Sequence, residues 1–277
     1  MKIENQKNKI IIYEPSDLNI KQTLECGQIF RFNIDSNVAV VYSKDKMAKL
    51  TTFGNRIEIE TRDTQYFYHF FDLDRDYGAI KNVLRSDQML KDAVDYGYGI
   101  RILNNDVYEM IISFIISANN NISRIKKSIE WLCFRFGKNM GDYYAFPTLD
   151  ELKRVSVLDF KQAGLGYRAE YMYDTVQRLT NKDIDDLKSM ETKSQFEFLL
   201  SLKGIGEKVA NCIMLFGLGV KNVFPVDTWI NKVYNNIYNK EETNRAKITK
   251  ELTDRYKGLS GYAQQYFFYY FRDNKIK

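Results

Sequence analysis

Leu202-Lys203-Gly204-Ile205-Gly206-Glu207-Lys208-Val209-Ala210-Asn211-Cys212-Ile213-Met214-Leu215-Phe216 and, a short loop later, Phe224-Pro225-Val226-Asp227-Thr228-Trp229 form the stretch whose reading decides the fold. The apolar segment 194–202 reads as a helix, and so does the segment after Gly206. Between them Gly204 and Gly206 mark a tight turn, because glycine adopts backbone angles that other residues resist. The pattern predicts a helix-hairpin-helix over about 194–217, with Ile205 dipping into the core. Its second helix begins near Gly206 with free N–H groups and no side chain in the way, an arrangement that binds a phosphate oxygen. Lys203 adds positive charge beside it. A plain helix–helix connection needs the same two glycines, and the turn alone favours that plainer reading.

The residues that follow change the balance. Lys208 and Cys212 are four apart on the second helix and share a face, with Leu215 and Phe216 nearby. A lysine there either reaches solvent or has a function. Burial disfavours the charged amine, so a lowered proton affinity is expected, which suits a nucleophile and Schiff-base former. Asp227 follows a proline and precedes a new helix, so it is a good N-cap. The same carboxylate could stabilise a cationic transition state.

Working outward, residues 1 to about 62 read as short strands. Lys9–Pro15 is the first, and residues 18–28 form a helix that stops at Gly27. Ile29–Ile34, Val38–Ser43, Met47–Phe53 and Arg56–Thr61 follow, with turns at Asp35-Ser36-Asn37, Lys44-Asp45-Lys46 and Gly54-Asn55. They make an antiparallel sheet with one polar face. Residues 63–84 turn helical, and beyond about 86 the chain is almost wholly helical. Residues 107–120 are apolar on most faces and predict a central buried helix. Ile122, Ile125, Ile129, Leu132 and Phe136 define an amphipathic helix ended by Gly137. The expected class is α+β: an N-terminal antiparallel sheet domain with helices, 1–98, packed on an all-helical body, 99–277.

Composition narrows the function. With 277 residues the chain can bury proper cores. The single histidine, His69, argues against chemistry built on His clusters, including most catalytic zinc sites. Cys26, Cys133 and Cys212 lie too far apart for a disulfide framework or a zinc or iron–sulfur signature, so no metal is expected. No apolar run reaches the roughly 18 residues of a membrane span. The isoleucines at 10–12 are too few for a signal core, so a cytoplasmic protein is expected. The net charge of +5 and pI of about 8.8 permit an anionic partner without demanding one. Aromatics at 14% are high; most belong to the core, but base-stacking proteins also use exposed aromatics.

Taken together, Leu202–Ala210 and Pro225-Val226-Asp227-Thr228 resemble the helix-hairpin-helix with Gly/Pro-Asp motif of the DNA glycosylase superfamily. In its lyase-capable members a lysine holds the position of Lys208 and an aspartate that of Asp227. The resemblance implies that Lys208 attacks the sugar C1′ of a damaged nucleotide. The base leaves, a Schiff base forms and β-elimination cuts the strand. Asp227 would stabilise the oxocarbenium-like sugar and position or deprotonate the lysine. Endonuclease III-like enzymes of this superfamily usually end in four cysteines holding an iron–sulfur cluster. No cysteine follows Cys212, so that cluster is not expected.

The other lysine/aspartate branch, the 8-oxoguanine DNA glycosylases of the eukaryotic type, is similar along nearly the whole chain. Cys26-Gly27-Gln28-Ile29-Phe30-Arg31, Ser117-Ala118-Asn119-Asn120-Asn121-Ile122-Ser123-Arg124, Gly164-Leu165-Gly166-Tyr167-Arg168-Ala169 and Gly261-Tyr262-Ala263-Gln264-Gln265-Tyr266-Phe267-Phe268 resemble its segments in order. The implied roles are specific. The Gly27 carbonyl accepts the N7–H that 8-oxoguanine has and guanine lacks. An unpaired buried carbonyl costs about 1–3 kcal/mol, so one proton can discriminate. Gln264 reads the base edge, while Phe268 and Cys212 sandwich the flipped base. Arg124 and Arg168 serve the cytosine left behind, Asn119 fills the gap and Tyr167 wedges the stack. Gly204 and Gly206 hold a phosphate.

The implied partner is duplex DNA containing 8-oxoguanine, preferably opposite cytosine, bound by a monomer. A monovalent cation at the hairpin carbonyls is left open. One departure stands out: relatives often place a phosphate-contacting histidine where this chain has Trp229, whose indole N–H is an alternative donor. Two other readings remain, an oxidised-pyrimidine or alkylated-purine glycosylase and a non-catalytic helix-hairpin-helix DNA-binding protein.

Overall fold

The structure, a computed structural model, describes residues 1–238 and 240–274. Its N-terminal part is a six-stranded antiparallel sheet: β1 (Lys2–Gln6), β2 (Lys9–Tyr13), β3 (Phe32–Asp35), β4 (Val38–Ser43), β5 (Lys46–Phe53) and β6 (Arg56–Thr61). The strand order is β1-β2-β6-β5-β4-β3. Alternation decides the faces. Ile10 and Ile12, Ala39 and Val41, Ala48 and Leu50, and Ile57 and Ile59 are buried on one side. There they meet Leu24 of the helix Ile20–Glu25 and Phe67 and Phe70 of the helix Thr64–Phe70. Each such side chain contributes about 1.5–3 kcal/mol by leaving water. The opposite face carries charges such as the Lys9–Glu58 pair at 2.7 Å.

The three expected turns are present, with Ser36, Lys44 and Gly54 at positive φ. Two boundaries differ from expectation. β1, which the sequence reading left unassigned, adds a polar edge strand whose side chains are mostly exposed. The third strand starts at Phe32 rather than Ile29, because Phe30 packs into the core of the helical body and the Arg31 side chain reaches Glu109.

The body is built around the helix Val107–Ser117, in which every residue from Glu109 to Ile116 is buried. The helices Ile122–Phe136, Arg168–Arg178 and Glu207–Phe216 pack on it. Gly137 does end the first of these, but not by a left-handed cap. Its φ is −79°, and a Cβ would stand 2.0 Å from the Ala145 carbonyl oxygen, so close approach is what requires glycine. A further helix, Asn181–Ser189, occupies a stretch that the sequence reading left unassigned.

Buried polar ties join sheet and body. Arg31 Nη1 donates to Glu109 Oε1 at 3.0 Å, and the backbone N–H of Lys44 donates to Glu109 Oε2 at 2.9 Å. Arg31 Nη2 also donates to the Tyr144 carbonyl at 2.7 Å. Breaking one partner of such a pair costs about 3–5 kcal/mol, since the other charge stays buried. The last helix, Ser260–Asn274, lies against the helix Gln88–Tyr96, so the end of the chain folds back over its N-terminal half.

Candidate active site

The hairpin forms as its glycines require. The helix Thr192–Leu200 ends, the chain turns, and the helix Glu207–Phe216 begins at the N-cap Gly206. Gly204 has φ +86°, and a Cβ there would lie 2.7 Å from Tyr171 Cδ2, so both backbone and space demand glycine. Gly206 faces open space, and no side chain caps the helix it starts. The turn is tethered by the helix Arg168–Arg178: Arg178 Nη1 donates to the Ser201 carbonyl at 2.6 Å and Thr175 Oγ1 to the Lys203 carbonyl at 3.2 Å. Those two hairpin carbonyls are therefore already occupied by protein donors.

Residues far apart in sequence then converge. A single cavity of about 40 Å³ is lined by Gly27, Lys208, Cys212, Asp227, Gln264 and Phe268, and Cys26, Phe114, Phe216, Pro225 and Gln265 complete its wall. It holds water-sized occupants rather than a purine. Gly27 has φ +85°, and the Phe268 ring lies directly over it, 3.1 Å from where a Cβ would be. Among the described residues the buried Gln264 has no partner for its Oε1. No donor reaches the Gly27 carbonyl among the described hydrogen bonds, whereas the Glu25, Cys26 and Gln28 carbonyls each accept one.

Lys208 is half-buried, with Nζ 5.7 Å from the centroid of the Phe114 ring. The expected lowering of its proton affinity is not what the site produces. The sulfur of Cys212 raises it most, burial lowers it, the Asp227 carboxylate raises it again, and the net direction is upward. Cys212 is itself pushed up, by burial ahead of the opposing pull of Lys208. Asp227 fills the N-cap role: the Ile230 N–H donates to its Oδ1 at 2.8 Å. Its other oxygen is not used in that bond. Trp229 places its indole N–H in a buried position without a partner, so in this conformation it is not offered to a phosphate.

The second group of expected residues lies at the end of the central helix that contributes Phe114 to the cavity. Asn120 and Asn121 cap the adjoining helices, Asn120 Nδ2 donating to the Ile116 carbonyl at 3.1 Å and the Arg124 N–H to Asn121 Oδ1 at 3.0 Å. Asn119 is exposed, in the left-handed region at φ +49°, and its side chain makes none of the described hydrogen bonds. Arg168 is buried and donates to the carbonyls of Ala118 and Asn119, each at 2.6 Å, and of Leu165 at 3.3 Å. Tyr167 is 53% exposed, and the Arg168 guanidinium sits 4.4 Å from its ring centroid. Arg124 is exposed. Sequence reasoning assigned no role to Gln265, whose side chain meets the Gly27 loop. The only available signal was a second glutamine beside Gln264 in an otherwise apolar run.

A helix-hairpin-helix turn beside a partly open pocket lined by a lysine, a carboxylate and an unpartnered amide oxygen is the arrangement of a DNA-acting helix-hairpin-helix protein. The chain belongs to the HhH-GPD superfamily of base excision DNA repair proteins, which residues 112–257 match, and residues 10–111 match the N-terminal domain of 8-oxoguanine DNA glycosylase. The N-glycosylase/DNA lyase of Saccharomyces cerevisiae is 30% identical over 291 residues, covering 88% of this chain and 74% of that protein. N-glycosylase/DNA lyase OGG1 of Arabidopsis thaliana is 38% identical over 168 residues, 57% of this chain and 46% of that protein. Among solved structures, the Clostridium acetobutylicum 8-oxoguanine glycosylase/lyase, in complex with double-stranded DNA containing cytosine opposite 8-oxoguanine, superposes with a TM-score of 0.93. It is 38% identical, and the match covers 100% of this chain and 99% of that one. Among the described residues no helix is long and apolar enough to cross a membrane, and no cluster of three metal-ligating side chains occurs.

Proposed function

We propose that this protein is a bifunctional DNA glycosylase and abasic-site lyase that removes 8-oxoguanine from duplex DNA, preferably opposite cytosine. The convergence of Gly27, Gln264, Phe268, Cys212, Lys208 and Asp227 on one cavity carries the reading. The division of labour is a sheet-bearing part, 1–98, that supplies the reading loop, and a helical body, 99–277, that supplies the chemistry. Gly206 and the free N–H groups behind it grip a phosphate. Asn119 and Tyr167 enter the duplex where the base leaves, Arg124 reaches the opposite cytosine, and Arg168 holds Asn119 and adds its remaining donors there. The flipped base displaces the Phe268 ring from Gly27 and is stacked between Phe268 and Cys212. Its N7–H donates to the Gly27 carbonyl, and Gln264 pairs with its Watson–Crick edge.

Lys208 must shed a proton before it reacts, and the Asp227 carboxylate is the adjacent acceptor. The neutral Nζ then forms a bond to C1′ as the C1′–N9 bond breaks, and the base departs with the electron pair. Positive charge developing on the sugar faces Asp227. The sugar ring opens to an iminium with Lys208. Loss of a C2′ proton and cleavage of the C3′–O bond cut the strand, and water hydrolyses the imine to restore the lysine. The chemistry calls on neither an iron–sulfur cluster nor another cofactor. The protein acts as a monomer in the cytoplasm, on the nucleoid. The reading is tested by base release from duplexes carrying 8-oxoguanine, an oxidised pyrimidine or an alkylated purine. 8-Oxoguanine should be the preferred substrate; preference for another, or binding with no release, contradicts it.

A further inference from the structure

The Gly27 carbonyl is useful as a reader only if its direction is fixed, and glycine does not fix it. Without a Cβ, Gly27 at φ +85° is the most easily reoriented residue of its loop. The neighbouring peptides are instead pinned from outside. Gln28 is anchored on one side: its Nε2 donates to the Arg101 carbonyl at 2.7 Å and to the Thr23 carbonyl at 2.9 Å, while its Oε1 accepts from the Leu103 N–H at 2.8 Å. On the other side the anchors come from the last helix. Gln265 Nε2 donates to the Cys26 carbonyl at 2.6 Å, and Arg272 Nη1 to the Glu25 carbonyl at 2.6 Å. Gln265 is 1% exposed, so this bond is sheltered from bulk solvent.

We propose that Gln265 is a positioning residue for lesion recognition: by holding the Cys26 carbonyl it fixes the plane of the Cys26–Gly27 peptide and, with Gln28 anchored on the other side, restricts the rotation about Gly27 that would turn its carbonyl. The inference rests on the role given to Gly27 above. Adjacent residues of one helix then divide the task. Gln264 faces the base edge, and Gln265 faces the loop that reads N7. Loss of the Gln265 donor leaves a buried carbonyl unpaired and frees the peptide to rotate. Base recognition then suffers more than chemistry at a sugar that carries no base.

Two variants and two substrates test this. Gln265→Leu removes the donor at similar volume. Gln265→Glu is isosteric and donates only while its carboxyl is protonated. Single-turnover rates are measured on a duplex with 8-oxoguanine opposite cytosine and on one with a preformed abasic site opposite cytosine. For Gln265→Leu the ratio of base release to abasic-site cleavage should fall by about tenfold or more, the scale of one lost buried hydrogen bond. For Gln265→Glu the ratio should become pH-dependent, recovering toward acid pH as the carboxyl regains its proton and donates. A ratio that matches the unsubstituted protein in both variants at every pH overturns the proposal, and so does a parallel fall of both rates, which marks a purely structural role. Thermal melting identifies a variant that has not folded; if Gln265→Leu is lost this way, the pH profile of Gln265→Glu decides alone. Failure of the unsubstituted protein to release 8-oxoguanine overturns the proposed function instead, and is seen before any variant is made.

Discussion

Arg168 Nη2 donates to the carbonyl of Asn119 at 2.6 Å, joining the first residue of the helix Arg168–Arg178 to the loop just beyond the central helix. The bond holds Asn119 in a left-handed conformation that asparagine tolerates better than most residues. Because Arg168 Nε also takes the Ala118 carbonyl, its planar fork sets the position of two successive peptides.

Arg168→Ala should therefore harm both fold and function. Urea denaturation should show a loss of about 1.5–3 kcal/mol, the scale of charge-assisted hydrogen bonds left unmade. Preference for cytosine opposite the lesion should weaken at the same time. Arg168→Lys keeps the charge without the fork and should recover stability only in part. Unchanged opposite-base preference in a folded Arg168→Ala variant would falsify the positioning role of this pair.

The two hairpin glycines should answer substitution differently. Gly204→Ala meets Tyr171 and a φ of +86°, so it should destabilise the protein by about 1–2 kcal/mol from backbone conformation alone. Gly206→Ser has open space and a suitable φ of −93°. Its hydroxyl would cap the helix, giving a neutral or slightly higher melting temperature, a gain of about a few tenths of a kcal/mol. The same hydroxyl occupies the N–H groups offered to phosphate, so duplex affinity should fall and its salt dependence flatten. Undiminished affinity for Gly206→Ser in a salt titration would place the phosphate grip elsewhere.

The Lys208–Cys212 pair makes a signed prediction about pH. Attack requires the neutral amine, so base release should rise with pH through the folded pKa of Lys208, which lies above the ordinary value of 10.5. Cys212→Ala removes the largest upward influence and leaves burial opposed by Asp227 alone. The rising limb of the rate profile should then move to lower pH. Linkage has the matching sign: a raised folded pKa stabilises the native state below the unfolded value and loses that stability as pH rises through the folded one. A profile unmoved by Cys212→Ala would show that the sulfur does not govern the lysine.

Much of this architecture was legible in the chain because short-range rules dominate there. Period-two alternation with turn residues gave five of the six strands, and the hairpin followed from two glycines whose need is local. The misses have physical causes. β1 buries almost nothing, so its sequence carries no alternating signal and only pairing with β2 makes it a strand. Asn181–Ser189 is polar, with only Ile184 and Leu187 buried, and it is set by its Thr180–Asp183 capping box rather than by an apolar stripe. The direction of the Lys208 shift could not be read from burial alone, because it is decided by Cys212 and by Asp227, which lies in the next segment of the chain. Arg168 reads in the chain only as a contact to the cytosine left behind, and its carbonyl ties depend on a loop about fifty positions away. Gln265 is the extreme case, since its partner at Cys26 lies at the opposite end of the chain.

The central claim is that Lys208 becomes covalently attached to the sugar of an excised nucleotide. Borohydride reduction during turnover of a duplex with 8-oxoguanine opposite cytosine should trap a protein–DNA adduct, and peptide mapping should place it on Lys208. Lys208→Gln should form none while still binding the duplex. A trapped adduct mapping to another residue, or no adduct from the unsubstituted protein while 8-oxoguanine is released, contradicts the account.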